Sequence, residues 1–159
     1  MKKVLFAIPL ALALTGCGSD IDLVKGGVME FNQTTTLGKA LDNWKSCESR
    51  EWEEFETDNG IKVVQFTCQH KISQYMSKAK SLLSEEEQAK ANHLDIASNI
   101  QTFQFTINQG DTFQIDNVQV KTTWQDGTSF EDSQKPVEQL ETAYANNLNF
   151  DPAELNEMG

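Results

Sequence analysis

Few residues of this 159-residue chain could carry reactive chemistry: its cysteines are Cys17, Cys47 and Cys68, and its histidines are His70 and His93. Cys68 and His70 stand two positions apart on a predicted strand, so both side chains lie on one face. That spacing suits a thiol nucleophile and its base, but the sequence identifies no third group to complete such a site. No paired metal-ligand motif includes either histidine, so we expect them at a strand end or on a helix surface. The sequence therefore predicts no catalytic residue, no metal site and no cofactor.

Cys17 differs from the other cysteines in its surroundings. Two lysines precede an apolar run over residues 4–14, which is too short to cross a bilayer of ~30 Å as a helix and fits the hydrophobic region of an export signal. The run ends in Leu14-Thr15-Gly16-Cys17. This segment resembles the signal of bacterial prolipoproteins at all four positions of the lipobox. The resemblance implies lipidation of the Cys17 thiol, cleavage before Cys17 and acylation of the new amino terminus.

The resemblance also implies how the chain is divided and where it resides. Residues 1–16 are then a signal peptide, residues 17–25 the lipidated cysteine with a short tether, and residues 26–159 a single domain. Gly18 rather than Asp follows the cysteine, which implies the periplasmic face of the outer membrane in a two-membrane envelope. Several acyl chains on one residue provide stable anchoring.

The charge of the chain excludes one class of partner. The chain has 13 Lys and Arg against 24 Asp and Glu, a net charge of −11, and Arg50 is its single arginine. Nucleic acid is therefore not expected as a partner, because phosphate contacts need clustered basic residues. Cleavage would remove two lysines and no acid, leaving 11 basic and 24 acidic side chains and a net charge of −13. Anionic lipid repels such a domain, so we expect contact with the membrane through the N-terminal lipid only. The partner that we expect is an envelope protein.

Cys47 and Cys68 remain once Cys17 is acylated. Exported proteins meet an oxidising compartment, which favours a disulfide between these two residues. A closed loop of about 20 residues would contribute about 3 kcal/mol to stability. Two alternatives stay open: a pair of buried free thiols, and a catalytic Cys68 acting with His70.

Apolar spacing predicts the elements that position these residues. Residues 21–31 are expected to form a strand, and an apolar stripe over residues 37–44 predicts a helix. A hairpin should follow, with strands over residues 50–57 and 61–70 joined by a turn at Asn59-Gly60.

The second half of the chain alternates helices and strands. Its predicted elements are a helix over 72–83, a helix from Ser84 to about Ile96, strands over 100–108, 112–124 and 128–131, a helix from Pro136 and a further helix from Asp151. This order indicates one α+β domain in which an antiparallel sheet, a hairpin plus a meander, packs with three to four helices.

The densest polar feature is the segment over residues 48–58, in which six acids surround two aromatic residues. Neither face of such a strand is apolar, which indicates a sheet edge protected by its charges, or a bulge that brings the two aromatic residues together. The functional interpretation is a binding ridge whose acids attract a basic partner and whose tryptophan, expected to be partly exposed, anchors it. The partner-binding candidates are Trp52, Glu53, Glu54, Phe55 and Glu56.

Three functions remain open on the sequence. The first is a membrane-anchored envelope lipoprotein that is not an enzyme and binds or scaffolds another protein. The second is an acidic inhibitor or immunity protein that neutralises a basic enzyme or toxin. The third is a hydrolase that uses carboxylates. We favour the first.

Overall fold

Period-two apolar alternation builds the longest elements of the molecule, which are strands. A computed structural model describes residues 19–150. Its strands are β1 (Val28–Met29), β2 (Asn32–Thr36), β3 (Cys47–Glu56), β4 (Lys62–His70), β5 (Ile96–Asn108), β6 (Thr112–Trp124) and β7 (Ser129–Gln134). β1 and β2 form a small antiparallel sheet, and the other five form an antiparallel sheet in the order β3-β4-β5-β6-β7. The expected α+β class, hairpin and meander are confirmed.

Short helices connect these strands. The described residues form α1 (Asp20–Gly26), α2 (Leu37–Asp42), α3 (Ile72–Ser81), α4 (Glu85–Gln88) and α5 (Pro136–Tyr144), with a 3₁₀ turn at Asn92–Leu94. There are thus five α-helices in this part of the chain rather than three to four. No helix in residues 19–150 is both long enough and apolar enough to cross a membrane.

The first predicted strand is wrong over residues 21–26, which lie in α1 (Asp20–Gly26). The hydroxyl of Ser19 accepts a hydrogen bond from the Asp22 N–H at 3.1 Å, and Val24 is fully buried. Acids in the first turn and Lys25 in the last turn stabilise the helix through its macrodipole. Sequence reasoning missed this helix signal because it followed the alternation of apolar residues. Residues 20–25, predicted from the sequence to belong to the short tether, lie in this helix.

The helix predicted from Ser84 is correct in its start and wrong in its length. Ser84 and Glu87 form the expected capping box, but α4 ends at Gln88. Ile96 begins β5 instead of ending a helix, because it pairs with Trp124 and gives the long β6 a partner along its length. The helix predicted from Asp151 lies outside the described residues.

The large sheet has two unlike faces. Its inner face carries the register row Trp52, Phe66, Phe103 and Val118, one residue from each of β3 to β6. The buried core on this face brings together residues of the sheet, α1, α2 and α5: Val24, Leu37, Leu41, Trp44, Cys47, Val64, Phe66, Cys68, Phe103, Phe105, Val118, Leu140 and Ala143.

The outer face is polar. Its matching register row is Glu53, Gln65, Gln104 and Asn117, and all four side chains are exposed or half-buried. An antiparallel sheet with one face packed on a core and one face in water has this alternation. The outer face is therefore a surface of the domain rather than part of its interior.

Candidate functional site

The acidic segment lies where the sequence indicated, at an edge of the large sheet. β3 is the first strand in the sheet order and pairs only with β4 among the described strands. Its one irregularity falls between Cys47 and Ser49, so register is regular from Ser49 to Glu56. Of the two arrangements that the sequence left open, the charged edge strand is present, whereas a bulge between Trp52 and Phe55 is not, and the two aromatic side chains lie on opposite faces.

Trp52 lies on the inner face and is partly buried against the core. Its indole N–H donates a hydrogen bond to Asp42 Oδ1 at 2.7 Å, and its ring centroid lies 4.9 Å from that of Phe66. The Lys25 ammonium stands 5.4 Å from the ring centroid on the helix side, within range of a cation–π interaction. Trp52 is partly exposed, as expected, but its contacts join the sheet to α1 and α2.

The other candidates divide between the two faces. Glu54 Oε2 accepts a hydrogen bond from the Ile21 N–H at 3.1 Å, which fixes the first turn of α1. Glu56 shares the inner-face register but is exposed. Glu53 and Phe55 lie on the outer face, where Phe55 is 39% exposed. The outer-face candidates are thus the ones that a partner could reach without disturbing α1.

Side-chain amides extend from Glu53 across the outer face. Gln65 Nε2 donates to Glu53 Oε1, Gln104 Nε2 donates to Gln65 Oε1 at 2.8 Å, and Asn117 Nδ2 donates to Gln104 Oε1 at 3.3 Å. We call these four residues the amide row. It crosses four strands, orders their side chains and makes the surface polar. Sequence reasoning missed this row because it depends on strand order, although the alternation of Gln and Asn with apolar residues was visible.

A second polar cluster lies in the interior. Cys47 and Cys68 form a disulfide, with 2.06 Å between the sulfurs and 5.4 Å between the Cα atoms. The bond joins the first residue of β3 to the inner face of β4, and both residues are buried. The predicted pairing is present, and the alternatives of free thiols and a catalytic Cys68 do not describe this state of the chain.

His70 lies next to the disulfide and is fully buried at the end of β4. Its Nδ1 is 2.8 Å from Ser46 Oγ, and its Nε2 is 2.7 Å from Gln101 Oε1. Gln101 donates through its own amide nitrogen to Gln139 Oε1 at 2.8 Å, so its oxygen faces the ring. This arrangement assigns the ring proton to Nε2 and leaves Nδ1 as an acceptor for the Ser46 hydroxyl. Burial lowers the pKa of His70 to about 4, against the opposing effects of the Gln101 side chain and the Ser46 backbone, which raise it.

The segment after α5 closes this cluster from water. The indole N–H of Trp44 donates to the Asn147 carbonyl at 2.6 Å, and the Asn149 N–H donates to Ser46 Oγ at 3.2 Å. Ser46 and His70 are both fully buried beneath it. The serine, histidine and amide are aligned like a catalytic triad, but a substrate could not reach the serine in this conformation. Their evident role is to satisfy one another.

Sequence reasoning placed His70 correctly at a strand end but did not expect it to be buried, and it missed Ser46 and Gln101. The signal for two of these was available. His70 continues the buried alternation of Phe66 and Cys68, and Gln101 continues that of Phe105 and Phe103. His93 is exposed, as expected for a surface histidine.

Two open grooves flank the turn between β5 and β6, and Asp111 contributes to both. One, of about 450 Å³, runs beside the end of α1 and is lined mainly by apolar residues that include Leu23, Met29 and Phe113. The other, of about 500 Å³, is lined by Asp20, Lys62 and the hairpin turns that join β3 to β4 and β5 to β6. Neither groove is lined by a histidine or a cysteine. Their position places the start of the described chain beside both hairpin turns.

Comparison with known proteins identifies the class of the N-terminal segment. Residues 1–17 match the family described as "Prokaryotic membrane lipoprotein lipid attachment site". The chain therefore carries a bacterial lipoprotein signal with a lipobox that ends at Cys17, and it is a lipid-anchored protein of the cell envelope. No curated protein and no solved structure matches the chain. The mature domain is accordingly described by its own geometry.

Proposed function

We propose that this lipoprotein is a non-enzymatic protein-binding module on the periplasmic face of the outer membrane. Its partner is an envelope protein with a basic surface, and its binding surface is the outer face of the sheet at the β3 edge. The observation that supports this proposal most directly is the exposure of Glu51, Glu53 and Phe55 on one face of a ten-residue edge strand.

Charge is the first argument for a basic partner. Glu51 and Glu53 lie on the outer face of β3, Asp116 bonds there to Thr106, and Glu131 faces the same side from β7. Together with the negative charge of the whole chain, these acids would accelerate encounter with a basic surface. They would also repel an anionic lipid surface, which keeps the face available for protein.

The backbone of β3 is the second argument. An edge strand presents unpaired N–H and C=O groups that an extended segment of another chain can pair with. Glutamates on β3 discourage pairing with a second acidic copy of the chain, and a basic segment would remove that repulsion. Phe55 supplies an exposed apolar contact among the acids.

The N-terminus suggests how this face is oriented. Asp20 lies 3.4 Å from Lys62 Nζ, at the end of the sheet that carries both hairpin turns, and it is three residues from Cys17. A lipid on Cys17 would hold that end near the membrane. The 13-residue β5 then extends roughly 40 Å from this end, with the outer face alongside it.

Site-specific photo-crosslinking in living cells tests the proposal. A photoreactive residue at position 55 should give one dominant adduct with an envelope protein, and the same residue at exposed position 90, just after α4, should not. Glu51→Lys with Glu53→Lys should abolish the adduct. The matched control, Glu85→Lys with Glu86→Lys, changes the net charge equally on exposed acids of α4 and should preserve it. Equal labelling from both positions, or an adduct that survives charge reversal on β3, would contradict the proposal.

The inhibitor function remains the alternative that the acidity of the chain favours. An inhibitor would bind a basic enzyme through the same acids and abolish its activity, with an affinity that falls steeply as salt screens the charges. Activity of the crosslinked partner, measured with and without the lipoprotein, separates the two functions. The carboxylate-based hydrolase stays a prediction from the sequence.

A further inference from the structure

We propose that Cys47, Cys68 and His70 form a site for a zinc-like divalent ion when the two cysteines are reduced. The metal would then join β3 to β4 at the point where the disulfide joins them in the oxidised chain. One potential ligand atom from each of the three residues lies within 4.8 Å of the other two. All three residues are buried, so water would compete little for the ion.

The distance from His70 to Cys68 already suits a metal. His70 Nδ1 lies 3.5 Å from Cys68 Sγ. A tetrahedral zinc ion with bonds of about 2.0 Å to nitrogen and about 2.3 Å to sulfur separates those two ligands by roughly 3.5 Å. The two sulfurs, which are bonded in the oxidised chain, would have to separate to roughly 3.8 Å to hold the ion. Cys47 can supply that movement because it is the first residue of an edge strand and lies next to the register shift of that strand.

Gln101 orients His70 as ligand histidines are oriented in metal sites. A metal-bound imidazole almost always donates its other N–H to an oxygen acceptor, which fixes the tautomer and the ring. Here Nε2 faces Gln101 Oε1 at 2.7 Å, and Gln139 holds Gln101 in turn. The lone pair of Nδ1 is thereby directed to the side on which Cys68 lies.

Ser46 does not block the site. Its hydroxyl now lies 2.8 Å from Nδ1, but Asn149 Oδ1 is 3.0 Å from the same oxygen. The hydroxyl proton can therefore turn to Asn149 and keep a hydrogen bond while Nδ1 binds the ion. Ser46 Oγ would then present a lone pair as the fourth donor.

The change from the disulfide to the metal-bound form needs a reductant, and a dithiol can serve as one. The dithiol breaks the S–S bond, both cysteines become thiols, and the dithiol becomes a cyclic disulfide. The ion then displaces one proton from each thiol and forms two metal–sulfur bonds and one metal–nitrogen bond. Two protons are released for each ion bound, because neutral His70 loses none. Newly exported chains provide the thiol form without any reductant, since thiols stay reduced in the cytosol.

Cobalt(II) is the probe that tests this proposal. The lipid-anchored protein is purified in detergent and reduced with a dithiol. The dithiol is then removed under anaerobic conditions, and the reduced protein is titrated with Co²⁺. We expect one Co²⁺ per chain with two protons released as it binds, a thiolate-to-cobalt charge-transfer band, the visible bands of a tetrahedral site, and displacement of Co²⁺ by Zn²⁺ without further proton release. The oxidised protein should show none of these signals.

Two variants separate a three-ligand site from binding to thiols alone. His70→Gln should weaken cobalt binding about tenfold or more, whereas the matched His93→Gln, at the exposed histidine, should leave binding unchanged. Cys47→Ser should lower the intensity of the charge-transfer band to that of a single thiolate, because Cys68 remains. Equal affinity in His70→Gln would overturn the assignment of His70.

Circular dichroism of each reduced sample shows whether the domain is folded during the titration. If the reduced wild-type chain is unfolded, Co²⁺ or Zn²⁺ should refold it, because binding free energy then becomes folding free energy. A folded reduced chain without the cobalt bands, or an unfolded chain that the ions do not refold, would overturn the proposal.

Discussion

The acidic outer face of β3 and the buried cluster around His70 are both polar, but the first is solvated by water and the second is excluded from it. Glu51 and Glu53 are exposed, so water solvates their charges and each contributes little to stability. Ser46, His70 and Gln101 are fully buried, so each must find its hydrogen bonds within the protein. In this domain the segment with the highest density of charge lies at the surface. The polar groups that the fold depends on are a few neutral residues among apolar ones.

Loss of the disulfide should have the largest effect on stability. Cys47→Ser removes a crosslink between residues 21 apart and should lower the free energy of unfolding by about 3 kcal/mol. Urea denaturation followed by tryptophan fluorescence measures this change. The Cys68 thiol left behind is buried, so it should react with maleimide only as fast as the domain opens.

Cys17→Ala is the matched control for that cysteine variant. It should release the protein from the membrane fraction and leave the free energy of unfolding of the domain unchanged, because the lipidation site precedes the described fold. Unchanged fractionation would contradict the lipid anchor. A fast maleimide reaction in folded wild-type protein would contradict the disulfide.

Acid should act on the buried cluster with a slightly smaller effect. In the unfolded chain His70 titrates near a pKa of about 6.5, whereas burial lowers its pKa in the folded chain to about 4. As the pH falls, His70 therefore gains a proton in the unfolded state before it does in the folded state. The stability that depends on a neutral His70 is complete above about pH 6.5 and is lost as the pH falls toward 4. Linkage predicts a loss of about 2 kcal/mol between pH 7 and pH 5.

His70→Gln isolates this contribution from the carboxyl groups. Ser46, Cys68, Trp44 and Gln101, the side chains in contact with the ring, are all uncharged. Urea midpoints from pH 7 to pH 5 should therefore change less in His70→Gln than in the wild type, and His93→Gln should keep the wild-type dependence. Equal dependence in wild type and His70→Gln would mean that His70 is not the group that titrates.

The two aromatic residues of β3 test the division between the faces. Trp52→Ala should cost about 2 to 3 kcal/mol, because it removes packing against Phe66 and the hydrogen bond to Asp42. Phe55→Ala, on the outer face at 39% exposure, should cost less than about 1 kcal/mol. Thermal or urea unfolding of the two variants provides the comparison, and a larger loss in Phe55→Ala would mean that the faces are assigned in reverse.

Local patterns predicted the parts of this fold that local physics determines. The Asn59-Gly60 turn and the alternation in β4 gave the central hairpin, and Gly60 adopts the positive φ of 79° that such a turn needs. The stripe from Leu37 to Trp44 gave α2 and its buried side. These signals act between residues close in sequence, where spacing alone decides which side chains share a face.

The remaining features depend on contacts between distant residues. The start of β5 at Ile96 is determined by pairing with Trp124, which no local pattern in the predicted helix contains. The candidate site was predicted only in part. The acids of β3 indicated an edge strand, but the amide row could be predicted only from the order of the strands in the sheet. The cluster of His70 with Ser46 and Gln101 was missed because a neutral polar residue in an alternating strand is ambiguous until its partners are known.

Neutralising the acids of β3 should have the smallest effect on stability and a clear effect on binding. Glu51→Gln with Glu53→Gln keeps side-chain size and leaves an amide oxygen at position 53 that can still accept from Gln65. The free energy of unfolding should change by less than about 0.5 kcal/mol, whereas the adduct from position 55 should weaken and lose most of its salt dependence. Because stability would be unchanged, lost crosslinking could not be attributed to unfolding. A double variant that unfolds more easily would instead place these acids among the groups that hold the sheet together, and the contrast between the exposed and the buried cluster would fail.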